Sequence, residues 1–257
     1  MSKLPIDKRF LDLSDYARPL AIRLAKLFQS TWVGAYTFTF SFLVVGVFAS
    51  YLIYKNTWLT LAAILLPIKS LFDAADGEIA RLKNSPSSVG RYFDSVSDFV
   101  VNLLLFISIG FHFELNIFVV LLSLILFQLQ GSVYSYYYII KRHQCNGDTT
   151  SRLFEKEKPI QYERDNPTLL NIFHKLFLLI YGWQDLLIYK LDPNAISSKE
   201  LPSWFLTLTS ILGLGFQLLI ISIFLLLGIH DYVVLFFILP YTVLALGIII
   251  IRRIIVK

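Results

Sequence analysis

The sequence is poor in charge and in sulfur, and both shortages exclude whole classes of protein. Only 16% of the residues are charged, against about 25% in an ordinary soluble domain. The chain has one cysteine, Cys145, so a scaffold held by internal disulfides is excluded. The first residues lack the short apolar stretch and small-residue cleavage site of a secretory signal peptide, so we expect no cleaved leader.

Long apolar runs take the place of the missing charge. Hydrophobic residues make up 56% of the chain, and several runs exceed the roughly 18 residues that can cross a membrane as a helix. No tandem repeat of fixed period is visible. The pattern predicts an all-α, polytopic membrane protein with six transmembrane helices, at residues 32–54, 58–81, 92–112, 115–140, 204–228 and 232–251.

Positive charge is distributed unequally between the two sides of the predicted bundle. Of the 23 lysines and arginines, 21 fall before the first span or after the second, fourth or sixth. Because cytoplasmic loops carry the excess of basic residues, we expect both termini and these loops to be cytoplasmic. In a bacterium the membrane is then the inner one. The net charge of +5 reflects this loop bias and does not indicate nucleic-acid binding.

Two further segments predict helices that lie on the membrane rather than across it. Residues 12–28, DLSDYARPLAIRLAKLF, mix basic and apolar residues as a juxtamembrane amphipathic helix does. Residues 168–191 are long enough to span, but a seventh span puts the basic C-terminal tail on the wrong side. We therefore expect a helix or hairpin at the cytoplasmic interface, within an insertion at about 142–202 of a single domain covering 1–257.

Four aspartates stand at the cytoplasmic ends of the second and third predicted spans. Asp73 and Asp76 are three residues apart and Asp94 and Asp98 are four apart, so each pair lies on one helix face. Folding these antiparallel neighbours against each other brings the four carboxylates together. Four carboxylates repel one another and are costly to bury, and divalent metal resolves the conflict. Ligation by oxygen alone favours Mg²⁺ or Mn²⁺, and four carboxylates can hold two such ions.

The residues between the aspartates suit a phosphate-bearing ligand. Gly77 lets a ligand approach the backbone beside Asp76, and Ala80 is a small residue one turn later. Arg81 has a forked set of donors that suits phosphate. The loop NSPSSVG adds hydroxyl groups and ends at Gly90, where two backbones can pack closely.

Written out, the pattern from Asp73 to Asp98 is D-x2-D-G-x2-A-R-x8-G-x3-D-x3-D. It resembles the signature of the CDP-alcohol phosphatidyltransferase family at every position, and its context of membrane spans is similar too. The resemblance implies a shared core of six helices that covers nearly the whole chain. It also implies an enzyme of phospholipid biosynthesis that displaces CMP from a CDP-linked donor and joins the remaining phosphoryl unit to an alcohol.

The resemblance further implies a role for each residue of the motif. Three aspartates correspond to metal ligands, Asp73, Asp76 and Asp94. Asp98 corresponds to a ligand of the second metal that also takes the proton of the attacking hydroxyl, so the implied cofactors are two divalent cations, Mg²⁺ or Mn²⁺. The residues that correspond to the CDP contacts are Gly77, Ala80, Arg81, Ser87 and Gly90.

Outside the motif the sequence is less conclusive. Many members of the family carry Pro-Asn-x-x-Thr at the start of the first span, whereas residues 32–39 read WVGAYTFT, in which Thr39 is a partial match. Lys69, one turn before Asp73, has two open interpretations: a contact to the acceptor or a phosphate, and an ion pair with Asp73 or a neighbour. The fourth span ends in an aromatic belt, and an acceptor cavity could be lined by the polar residues before it, Gln128, Gln130 and Ser132.

Two classes of function are compatible with buried carboxylates, a phosphotransferase and a transporter of cations or protons. The acids cluster near one face, while the stretches 218–229 and 233–251 carry no charge, so we favour the enzyme. We expect CDP-diacylglycerol as donor and a small polar alcohol as acceptor. The reverse arrangement, a CDP-linked headgroup with a diacylglycerol acceptor, uses the same signature. The lipid bilayer is a partner in either case, and the resemblance is compatible with a homodimer.

Overall fold

The computed structural model of the chain describes residues 4–147, 153–155 and 159–255. Within these ranges the regular structure is helical and no strand occurs, so the all-α prediction is confirmed. The helices are α1 (Arg18–Phe28), α2 (Ala35–Tyr54), α3 (Leu59–Leu82), α4 (Ser88–His112), α5 (Ile117–Gln144), α6 (Pro167–Phe177), α7 (Trp183–Leu191), α8 (Ser203–Ser210), α9 (Leu214–Leu226), α10 (Val233–Ile238) and α11 (Pro240–Ile255).

Several of these helices can cross a membrane, but fewer than the six that the sequence predicted. Four segments in the described part are long and apolar enough: Ala35–Tyr54, Ser88–His112, Ile117–Gln144 and His230–Ile254. A fifth consists of α8 and α9 together, which are bent by 42° relative to each other. The remaining predicted span, α3, has the length but not the composition, because it carries several charged residues from its middle onwards, Lys69, Asp73, Asp76, Glu78 and Arg81.

The N-terminal helix α1 begins at Arg18, six residues later than the predicted segment 12–28. Pro19 lies in its first turn, where the fixed backbone angle of proline favours the start of a helix. Its buried residues are only Ala21 and Ala25, which pack with residues of α3, whereas Leu20 is 56% exposed. The small side chains let α1 approach α3 closely, and Leu24 and Phe28 pack at the edge of the same cluster.

The centre of the bundle is arranged around α2, which packs against both α3 and α4. The backbones of α3 and α4 themselves approach closely at few positions, so these two helices meet mainly through their side chains. The expectation that the second and third spans fold directly against each other is therefore only partly right. On the far side of α4, Phe106, Phe127 and Phe237 of α4, α5 and α10 pack edge to face with ring centroids 4.9–6.0 Å apart.

The predicted interfacial segment 168–191 is one continuous helix and not a hairpin. A π-helical turn, Leu178–Gly182, joins α6 to α7. This segment is not among the candidate membrane spans of the described chain. Leu170 packs with Val89 and Tyr92 of α4, so α6 lies along the beginning of α4. The segment then continues to α5, against which α7 packs.

The residues before α1 are held against α9 by a glycine contact. The backbone N–H of Gly215 donates to the Ser14 hydroxyl at 3.1 Å. A Cβ at Gly215 would overlap the backbone oxygen of Ser14, and a backbone atom cannot move aside as the end of a flexible side chain can. Gly215 therefore allows a close approach that other residues exclude.

We expect Gly215→Ala to lower the free energy of unfolding by about 1–3 kcal/mol, the usual cost of an overpacked interior site. The matched control is Gly247→Ala in α11, where an added Cβ meets nothing within 4 Å among the described residues. That substitution should be neutral or stabilising by up to about 1 kcal/mol, because alanine favours a helix. Thermal unfolding of both variants in detergent checks this, and equal melting temperatures would contradict the close approach.

Candidate functional site

Three of the four aspartates form a cluster between α3 and α4. One carboxylate oxygen from each of Asp73, Asp76 and Asp94 lies within 4.8 Å of the others. Asp73 and Asp76 come from the second half of α3 and Asp94 from the second turn of α4. The structure thus brings together residues that are about 20 positions apart in the sequence. Asp98, one turn further along α4, is turned towards another partner.

That partner is Lys69, whose side chain is completely buried. Its ammonium nitrogen donates to Asp73 Oδ2 at 3.0 Å and also pairs with Asp98 Oδ1. The ring of Phe42 in α2 lies over the same nitrogen, 4.6 Å from it, which adds a cation–π contact. The structure therefore shows the second of the two interpretations of Lys69, an ion pair with Asp73 and a neighbour. The pair links α3 to α4 where their backbones are apart.

The carboxylates of the cluster are incompletely satisfied. Asp76 is 7% exposed and accepts a hydrogen bond of 2.8 Å from Thr39 of α2. Asp94 Oδ1 is buried and has no hydrogen-bond partner among the described residues. A buried carboxylate oxygen without a partner is costly, and a hard cation with oxygen ligands meets this need. The donor set therefore fits Mg²⁺ or Mn²⁺, with Asp73, Asp76 and Asp94 as ligands.

Arg81, predicted to contact CDP, lies over Gly77 on the adjacent turn of α3. A Cβ at Gly77 would come 3.4 Å from both terminal nitrogens of Arg81, an ordinary van der Waals contact, so the guanidinium lies against this turn of the helix. Arg81 Nη2 donates to Glu78 Oε1 at 2.8 Å, and Arg18 of α1 pairs with the same carboxylate. Nε of Arg81 is buried without a partner in the described part of the chain. Arg81 is thus held in place while one donor stays free. Ala80 is half-buried on the same helix.

Ser87 and Gly90 form the start of α4. Ser87 is the N-cap, and its hydroxyl accepts from Gly90 N at 2.9 Å. The same hydroxyl donates to Asp165, whose other oxygen accepts from Ser88 N at 3.0 Å. Capping by a serine and a carboxylate satisfies N–H groups that the first turn of a helix leaves free. Ser87 therefore has a structural role here, and its contact with CDP stays a prediction.

Several polar residues near the aspartates were not singled out by the motif. Thr39 was only a partial match, yet it contacts Asp76 directly. Burial raises the pKa of Tyr16, and the positive charge of Lys69 offsets part of this rise. The Tyr16 phenol is therefore close enough to the ion pair to be affected by its charge. Burial, followed by the charges of Asp98 and Asp94, also raises the pKa of Tyr181 in the π-helical turn. Nothing in the local sequence around Tyr16 or Tyr181 signals this proximity, because both come from segments outside the motif.

Comparison with known proteins agrees with the family resemblance that the motif indicated. The family model described as CDP-alcohol phosphatidyltransferase matches residues 32–153, a range that contains all four aspartates and extends from the start of α2 past the end of α5. The resemblance is confirmed over these residues. The match covers just under half of the chain, less than the nearly complete coverage expected, and helices α6 to α11 lie outside it. No curated protein matches the chain.

We expect Mn²⁺ or Mg²⁺ to raise the melting temperature of the detergent-solubilised protein, because a ligand that binds only the folded state stabilises it. Asp94→Asn should weaken Mn²⁺ binding by about 10-fold or more, since it removes a charged ligand. Asp231→Asn, at an exposed carboxylate, should leave binding unchanged. The readout is a Mn²⁺ titration followed by electron paramagnetic resonance. Equal affinities of the three proteins would rule out the cluster as the metal site.

Proposed function

We propose that this chain, which belongs through residues 32–153 to the CDP-alcohol phosphatidyltransferase family, transfers a phosphatidyl group from CDP-diacylglycerol to a small alcohol. The family implies a phosphotransferase of phospholipid synthesis, and the choice of donor and acceptor is our proposal. The observation that carries it is the convergence of Asp73, Asp76 and Asp94 within 4.8 Å between two helices. Such a site suits a phosphate-bearing substrate far better than a path across the membrane, because its acids stand at one end of the bundle.

The metal ligands in this proposal are Asp73, Asp76 and Asp94, with Asp98 available to a second divalent cation. Bound Mg²⁺ or Mn²⁺ would neutralise the pyrophosphate and stabilise the charge on the departing CMP. Support for metal comes from the unpartnered oxygen of Asp94 and from the need to bury several carboxylates together. The CDP contacts are assigned to Gly77, Ala80, Arg81, Ser87 and Gly90.

The proposed reaction is a displacement at phosphorus. The oxygen of the acceptor hydroxyl bonds to the phosphorus that carries the diacylglycerol. The bond from this phosphorus to the CMP oxygen breaks, and CMP leaves with the electron pair. Asp98 takes the hydroxyl proton, because an alcohol is a weak nucleophile until a base accepts it. The ion pair with Lys69 holds Asp98 in position.

The membrane arrangement in this proposal has six spans, with α3 as the second despite its charges. Its charged half packs inside the bundle against α1 and α2, so these groups avoid lipid. The distribution of 21 of the 23 basic residues supports cytoplasmic termini and a cytoplasmic site. The diacylglycerol chains of the donor would then enter laterally between helices. A homodimer is compatible with this arrangement.

We expect the purified protein to release CMP from CDP-diacylglycerol only with Mg²⁺ or Mn²⁺ and an alcohol acceptor. Asp98→Asn should lower the rate by about 100-fold or more, the contribution of a general base, while Asp231→Asn keeps it. Chromatography of CMP and of the lipid product measures both. Release from a CDP-linked headgroup with diacylglycerol, but not from CDP-diacylglycerol, would reverse the assignment of donor and acceptor. If CMP is released with neither arrangement of donor and acceptor, the proposal that this chain is an enzyme is refuted.

A further inference from the structure

The helical segment Pro167–Leu191 reaches the aspartates from outside the family match. Its Tyr181 hydroxyl donates to the backbone oxygen of Ser95 at 3.0 Å, and Ser95 directly follows Asp94. The Tyr181 side chain is half-buried, and the charges of Asp98 and Asp94 add to the effect of burial on its pKa. Tyr181 therefore borders the site on the side of Asp98.

The π-helical turn explains why Tyr181 reaches this position. Before the turn, α6 packs on α4 through Leu170, and the rings of Phe177 and Tyr92 lie in contact with their centroids 5.1 Å apart. After it, Gln184 of α7 accepts a hydrogen bond of 2.8 Å from Ser132 of α5. A π-helical turn adds a residue to the helical repeat and is frequent at functional sites. Here it lets one helix contact α4 and then α5, with Tyr181 at the crossing.

Two buried amides near this crossing lack partners. Asn102 follows Asp98 by one turn of α4 and is 1% exposed, and within the described residues neither Nδ2 nor Oδ1 has a hydrogen-bond partner. Gln128 of α5 is 8% exposed, and its Nε2 is likewise unpartnered there. Gln128 lies one turn before Ser132 on the same face of α5, and Ser132 bonds to Gln184, three residues after Tyr181. Unsatisfied buried amides are costly and rare, which indicates that they bind something polar.

We propose that Asn102, Gln128 and Tyr181 form the subsite that holds the acceptor beside Asp98, and that this acceptor is a small, neutral alcohol with several hydroxyl groups. This inference rests on the proposed function. Amides and a phenol donate and accept hydrogen bonds, as hydroxyl groups require, and carry no fixed charge. A phosphorylated acceptor would instead call for arginine or lysine, and Lys69 is already paired with two carboxylates.

The subsite would position one hydroxyl for loss of its proton to Asp98 in the displacement described above. The other hydroxyls would bond to the amides, which makes binding depend on their number and positions. Because Tyr181 lies outside residues 32–153, the choice of acceptor in this chain depends partly on a segment that the family model does not include. Tyr181 acts as a specificity residue, and Asp98 takes the proton.

The test is the dependence of CMP release on acceptor, using myo-inositol, glycerol and the monophosphates of both. Tyr181→Phe and Gln128→Leu should each raise KM for the preferred neutral polyol by about 5–10-fold, the effect of one lost hydrogen bond. KM for CDP-diacylglycerol should stay within about twofold. Tyr189→Phe is the matched control, because this α7 tyrosine packs on Phe154 away from the aspartates.

The outcomes separate the possible failures. If wild-type protein releases no CMP with any acceptor, the proposed function fails and the subsite with it. If wild-type protein is active but prefers a monophosphate, the neutral acceptor is wrong. If the variants lower kcat and change the two KM values equally, Tyr181 and Gln128 are structural. Melting temperatures of all variants, with and without the polyol, show whether folding is intact and whether polyol binding is weakened, as expected for Tyr181→Phe and Gln128→Leu.

Discussion

The ammonium of Lys69 lies in the interior of the bundle with a carboxylate on either side, Asp73 on its own helix and Asp98 on α4. An isolated charge at this depth would be costly, and so would either aspartate without it. Since the backbones of α3 and α4 approach at few positions, this ion pair is also a direct connection between the two helices. In our proposal, metal and substrate bind between these two helices.

Contacts from several parts of the chain hold the residues around the aspartates in place. On α3, Thr39 of α2 holds Asp76, and Glu78 holds Arg81 together with Arg18 of α1. On α4, Ser87 and Asp165 cap the first turn. Each contact comes from a different part of the sequence. The site therefore depends on the N-terminal helix and on the segment after α5 as well as on the motif.

Our proposals divide two tasks between two parts of one fold. The residues assigned to metal and CDP lie within 32–153, the range that matches the family model. The segment Pro167–Leu191 lies outside that range and carries Tyr181, whose hydroxyl donates to the backbone of Ser95 beside Asp94. In these proposals the chemistry depends on the motif, and the choice of acceptor depends partly on a segment outside it.

The sequence by itself determined the helical class, the motif with its four aspartates, and the approximate bounds of most long helices, because these follow from local periodicity and spacing. It overestimated the apolar character of the second span, where charges are tolerated inside the bundle. Only the tertiary structure decided which aspartates cluster, that Asp98 pairs with Lys69, and that Tyr181 and Thr39 reach the site. These contacts join residues far apart in the chain, and their distances depend on how the helices pack, which no local pattern specifies.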